Sequence, residues 1–156
     1  MSIRSIGALL PLLLFISCAS SDEGLGPQLP KKTTYIRSGT GFGHCHGYCM
    51  TELYLDSTTA IFVESSRESE KFPEKSERVE IGVGTWSNLA HAADTSRIMA
   101  LDSVIGCPDC ADGGSEWIEV RSIHGIKRVV FPYGASVPEI DPLLEQIRAI
   151  RQRFRE

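Results

Sequence analysis

Thr51-Glu52-Leu53-Tyr54-Leu55-Asp56-Ser57-Thr58-Thr59-Ala60-Ile61-Phe62-Val63 decides the fold of this chain. Residues 51–56 alternate with period two, Ser57 to Thr59 are turn formers, and an apolar run returns from Ala60 to Val63, so the segment predicts a β-hairpin. Downstream, Glu64 to Glu77 is a run of mixed charge around Pro73 with little to bury, which predicts a solvated connection. Val79, Ile81 and Val83 then alternate with Arg78, Glu80 and Gly82, predicting a third strand with three aliphatic side chains on its core face.

Past Gly84 the period changes. Trp86, Leu89, Ala90 and Ala93 fall at i, i+3, i+4 and i+7, an amphipathic helix that Thr85 or Ser87 would cap. Arg97 to Ile105 fits either a further helical turn or an extended piece entering Cys107-Pro108-Asp109-Cys110. A second hairpin follows, Trp117 to Arg121 and Lys127 to Phe131, with Gly125 able to supply the positive φ of a tight turn. After Pro138 the stripe Ile140, Leu143, Leu144, Ile147, Ile150 and Phe154 predicts a closing helix on the sheet. Counting an N-terminal strand at Thr34 to Ser38, the order is β-β-β-β-α-β-β-α. That order predicts an α+β domain, an antiparallel sheet of about five to six strands with two helices packed on one face.

The N-terminus has a different character. Met1-Ser2-Ile3-Arg4, an apolar run from Ile6 to Ile16 and then Ser17-Cys18 have the layout of an export signal ending at a lipidated cysteine. The run contains Gly7 and Pro11 and falls short of the roughly 18 to 20 residues of a spanning helix. Its rival is an ordinary secretory signal cut after Ala19, which would remove Cys18. Residues 1–17 are thus expected to be the signal, residues 18–32 the lipidated Cys18 and a Ser-, Gly- and Pro-containing tether of about 20 Å reach, and residues 33–156 a single domain. From Cys18 onward fifteen of the 16 Lys and Arg and all 20 acidic residues remain, a formal charge of −5. Such a balance argues against nucleic acid as partner. The terminal arginines Arg148, Arg151, Arg153 and Arg155 read as a solvated helix end, with cations well placed near its C-terminus.

The signal, Cys45-His46-Gly47-Tyr48-Cys49 leading into a hairpin, the Asp112-Gly113-Gly114 entry to the second hairpin and the closing helix together resemble a family of bacterial lipoproteins carrying a domain of unknown function. The resemblance covers most of residues 33–150, and its most specific element is the C-x-G-x-C motif, usually followed there by Pro where this chain has Met50. It implies the α+β fold and a membrane anchor through the lipid on Cys18, and no activity. Ala19 lacks the Asp that often signals inner-membrane retention, so the resemblance favours the outer membrane, facing the periplasm or the cell surface.

With Cys18 committed to lipid, Cys45, Cys49, Cys107 and Cys110 remain, and in an oxidising compartment these are disulfide candidates. Spacing leaves the connectivity open: local bridges would stabilise by about 2 kcal/mol each, cross-bridges by nearer ~4 kcal/mol. The resemblance implies local pairs, since its C-x-G-x-C motif forms a self-contained unit. Two sharper readings use the same residues. Cys45, His46, Cys49, Cys107 and Cys110, with His44 and Met50 close by, offer ligands for zinc or copper. Cys107-x-x-Cys110 has the spacing of dithiol exchange sites, although a loop follows it where a helix is needed to lower the first thiol's pKa.

Other searches find nothing specific. No nucleophile elbow, zinc-protease helix or Walker loop is present, and Gly39, Gly41 and Gly43 read as a flexible turn. His91 and His124 read as ordinary surface or boundary residues, Asp112 and Glu116 as loop acids flanking the second cysteine pair, and Trp86, Trp117 and Tyr54 as core or sheet-face aromatics with a ligand groove as the alternative. No motif calls for a cofactor. The expected function is a lipid-anchored envelope protein acting as a non-enzymatic binding or structural module toward an envelope protein or small ligand. The alternative is a thiol-redox or metal-binding protein built on the four body cysteines.

Overall fold

The computed structural model describes residues 33–123 and 125–156; the signal, the lipidated Cys18 and the tether expected in residues 1–32, and the reading of His124, lie outside these. One six-stranded sheet runs in the order β4-β3-β2-β1-β5-β6, from β1 (Thr33–Gly41), β2 (Met50–Leu55), β3 (Thr59–Ser65), β4 (Lys75–Glu80), β5 (Ser115–Ser122) and β6 (Gly125–Pro132). All five strand pairings are antiparallel. The helices α1 (Val83–Ala92), α2 (Thr95–Ala100) and α3 (Asp141–Arg153) complete an α+β domain of the predicted class.

Period-two alternation builds the core. Ile36, Leu53, Leu55, Ala60, Phe62, Ile118, Val120, Val129 and Phe131 all point to one face and are buried. Trp86, Leu89 and Ala90 of α1, Ile98 of α2, and Leu143, Leu144 and Ile147 of α3 close the core from the helical side. The deciding hairpin forms as expected, with Leu53 opposite Phe62 and Leu55 opposite Ala60. Its turn is fixed by Asp56, whose carboxylate accepts from the backbone N–H groups of Thr58 and Thr59, each at 2.9 Å. Burial pushes this carboxyl up, but those bonds and the Thr58 hydroxyl outweigh it and hold it below its ordinary value.

Several boundaries differ from the sequence expectation, each for a physical reason. β4 is an edge strand whose residues are all exposed, rather than a strand with three aliphatics in the core. Its register places Glu77 opposite Phe62 and Val79 opposite Ala60, so the core-side face carries one aliphatic, and Val79 stays 37% exposed. Val83 opens α1 and is 70% exposed. β3 and β4 take both ends of the expected solvated connection. α1 starts before Thr85, at an N-cap Gly82 without side-chain capping. The stretch after Asp94 contains a helix beyond the two expected, α2, because Asp94 caps it through the N–H groups of Ser96 (3.0 Å) and Arg97 (3.3 Å).

The N-terminal strand extends further than expected, to Gly41, and lies in the sheet interior between β2 and β5. Gly39 and Gly41 are therefore strand residues and not a flexible turn. A Cβ on Gly39 would sit 2.5 Å from the Thr51 carbonyl oxygen and 2.6 Å from the Trp117 ring, so the strand needs glycine there for space.

Candidate functional site

Four strand ends meet at one end of the sheet. β1 leaves it at Gly41, β2 enters at Met50, β5 enters at Ser115 and β6 leaves at Pro132. Both cysteine loops lie here. Cys45 and Cys49 pair locally with Cα atoms 5.7 Å apart, and Cys107 and Cys110 pair locally at 5.6 Å. Cys49 is buried, whereas Cys45, Cys107 and Cys110 are exposed.

Side-chain bonds tie the two loops together. Asp109, in the left-handed region at φ 57°, accepts from the Gly43 N–H at 3.2 Å and the Gly114 N–H at 3.1 Å. His44 Nδ1 meets Asp112 Oδ1 at 2.7 Å. Below them the Phe42 ring packs against Gly114, where a Cβ would lie 2.4 Å from a ring carbon, and meets Tyr133 edge-on at 4.9 Å. The cysteine loops thus form a cover over this end of the sheet.

The five-residue metal set does not assemble under this cover. The ring of His46 packs edge-on against Phe72 at 5.1 Å, and each cysteine is at bonding distance from its local partner. Among the described residues no three His, Cys, Asp or Glu side chains are grouped to hold a metal ion. Cys107 also lacks the helix N-terminus that dithiol exchange uses, because only a short 3₁₀ turn, Cys110–Asp112, follows it.

The charged chemistry lies one layer deeper. Glu116 faces inward from the start of β5, in phase with Ile118 and Val120, and is fully buried. It is not a loop acid. Its Oε2 accepts from Arg148 Nη2 at 2.7 Å, Arg148 Nε at 3.1 Å and the Gly134 N–H at 3.3 Å. Its Oε1 accepts from Arg148 Nε at 3.3 Å and from Arg151 Nη2. Burial pushes the Glu116 carboxyl up, but the hydrogen bonds and charges of Arg148 and Arg151 outweigh it and hold it below its ordinary value. Glu116 is therefore an ionised anchor. It holds two guanidiniums in place, and its oxygens are engaged by their N–H groups and that of Gly134.

These groups line a cavity of 410 Å³, together with Thr40, Tyr133, Gly134, Gln152 and Arg155. Thr40 is the register partner of Glu116, and its hydroxyl is bonded to that of Thr51 at 2.8 Å. Arg148 and Arg151 reach the cavity because i and i+3 lie on one face of α3, and Arg155 reaches it from the turn that follows the C-cap Phe154. Two of the four terminal arginines thus pair with a buried acid rather than standing in solvent. The signal for this was an acid in the core phase of a strand and arginines in the core phase of a helix.

No protein-family model and no curated protein matches this chain. Among the described residues no helix is long and apolar enough to cross a membrane.

The aromatic residues do not form one groove. Trp86 is buried in the core beneath the helices, whereas Trp117 and Tyr54 lie on the outer face of the sheet. There the Arg128 guanidinium stacks 3.7 Å from the Trp117 ring centroid, and Tyr54 meets Tyr35 at 5.8 Å. His91 is exposed on α1.

Proposed function

We propose that this chain is a lipid-anchored cell-envelope protein whose α+β domain is a non-enzymatic binding module, with the cavity around Glu116, Arg148 and Arg151 as its ligand site. The observation that carries the binding role is that cavity, whose 410 Å³ falls in the ordinary range of small-molecule pockets, roughly 300 to 1,000 Å³, around a buried charge network. A carboxylate held ionised by two guanidiniums is suited to organising a site and unsuited to general-base work. The anchor rests on the placement of Cys18 after the apolar run, and the resemblance to envelope lipoproteins agrees with it.

Two experiments test this reading. Metabolic labelling with a palmitate analogue is expected to mark the wild-type chain and not Cys18→Ser; equal labelling of both refutes the anchor. Titration of the ¹⁵N-labelled protein with a small-molecule fragment library is expected to shift the amide resonances of Tyr133 and Gly134. Fragment-induced shifts confined to other regions refute the pocket assignment. A second reading, dithiol exchange, is favoured only by the exposure of both Cys107 and Cys110, and failure of the oxidised protein to accept electrons from a dithiol peptide removes it.

A further inference from the structure

The Glu116 cavity has an imbalance of donors. The five bonds to Glu116 saturate its two oxygens, which offer about four lone-pair sites, so the acid accepts nothing more. Arg151 Nε is buried and has no hydrogen-bond partner among the described residues, although the Arg151 side chain is only 8% exposed. A buried unpaired donor is costly unless something accepts from it. The charges are also unbalanced: the guanidiniums of Arg148, Arg151 and Arg155 face the single carboxylate of Glu116, a formal excess of two positive charges. The C-terminal end of α3 offsets part of this, but a helix end carries only about half an elementary charge. The remaining sign is positive.

We propose that this cavity takes an oxyanion, the carboxylate or phosphate group of a small solute, held by Arg151 Nε and the guanidinium of Arg155 while Glu116 and Arg148 hold Arg151 in position. This rests on the cavity being the ligand site. Guanidinium forks match the planar or tetrahedral oxygens of both groups, and a site rich in donors and poor in acceptors rejects amines. Tyr133 closes one side of the cavity, and its backbone is tied to Gly114 under the cysteine cover by an N–H to carbonyl bond of 3.1 Å. The disulfide-tied loops thereby hold the rim.

The test follows the arginine Nε–H resonances of the full chain during titration with inorganic phosphate, with succinate and, as a cationic control, with ethanolamine. Saturable movement of the Arg151 Nε–H signal with phosphate or succinate in the millimolar range, and none with ethanolamine, is the expected result; the anion that acts tells phosphate from carboxylate. Arg155→Gln, at an exposed position that leaves the fold intact, is expected to weaken binding about tenfold. Arg151→Lys should weaken it as much, because an ammonium lacks the fork. No saturable shift with either anion, or an unchanged affinity in Arg155→Gln, overturns the proposal. Should fragments move Tyr133 and Gly134 while neither anion does, the oxyanion inference fails and the ligand site stands. Should nothing move them, both fail.

Discussion

Arg151, in the last turns of α3, hydrogen-bonds through Nη2 to Oε1 of Glu116, a fully buried carboxylate at the start of β5. The pair joins the closing helix to the sheet across 35 residues of sequence. Two guanidiniums converge on one acid, so the three groups are interdependent. Removing the acid leaves cations in the interior without a counter-charge, and Glu116→Gln is expected to cost about 3–5 kcal/mol. Urea unfolding of the two proteins measures it. A loss below about 1 kcal/mol, the scale of an exposed ion pair, would show that the network contributes little to stability.

The same carboxylate makes acid stability a diagnostic. Its folded pKa lies below the unfolded value near 4.5, so the folded state binds fewer protons than the unfolded state through the acid range. Stability from this group is complete above about pH 6 and is lost as pH falls through the folded pKa. Asp56, Asp94 and Asp141 are depressed as well and contribute in the same sense. Denaturation midpoints recorded from pH 7 down to pH 3 are expected to fall less steeply for Glu116→Gln than for wild type. Parallel slopes would assign the acid dependence to the three aspartates alone.

How much of this was legible in the sequence depends on whether the cause was local. The hairpin at Thr51 to Val63 was readable because alternation and a turn at Ser57 to Thr59 are both properties of neighbouring residues. The edge position of β4 was not, since Val79, Ile81 and an alternating charge pattern look the same in a strand that is covered and in one that is not. Only the Glu77–Phe62 register shows that charge reaches the core-side face. At the cavity the signs were present but divided. Glu116 shares the phase of Ile118 and Val120, and Arg148 and Arg151 share the face of Leu144 and Ile147, yet each reads as surface until the other is brought against it.

Gly39 gives a steric prediction. A methyl group there would lie within 2.6 Å of the Trp117 ring and within 2.5 Å of the Thr51 carbonyl oxygen, and the second neighbour is backbone in a paired strand. Gly39→Ala is expected to destabilise the domain by about 1–3 kcal/mol, the range of overpacking in a tight interior. Trimming the ring leaves the Thr51 clash, so Gly39→Ala combined with Trp117→Leu should recover little. Full recovery of the thermal midpoint in the double variant would place the whole constraint in the ring.

The cysteine cover makes two predictions that can be separated. Peptide mapping of unreduced protein is expected to find Cys45 linked to Cys49 and Cys107 linked to Cys110, because each pair has its Cα atoms within 6 Å, a separation a disulfide spans. Cross-linked peptides joining the two loops would contradict this fold. Each bridge closes a very short loop, so its removal should cost only about 2 kcal/mol. That is less than the loss predicted for Glu116→Gln, and the domain should stay folded when Cys107 and Cys110 are both changed to Ala. The change should instead be felt at the rim, since Asp109 lies between those cysteines and anchors both Gly43 and Gly114. Amide exchange at Gly43, Gly114 and Tyr133 is expected to quicken in that variant by a larger factor than exchange at Leu53 and Ile118 in the sheet interior, which follows only the global loss of about 2 kcal/mol. Equal acceleration at all five positions would mean that the bridge stabilises the whole domain and not its cover.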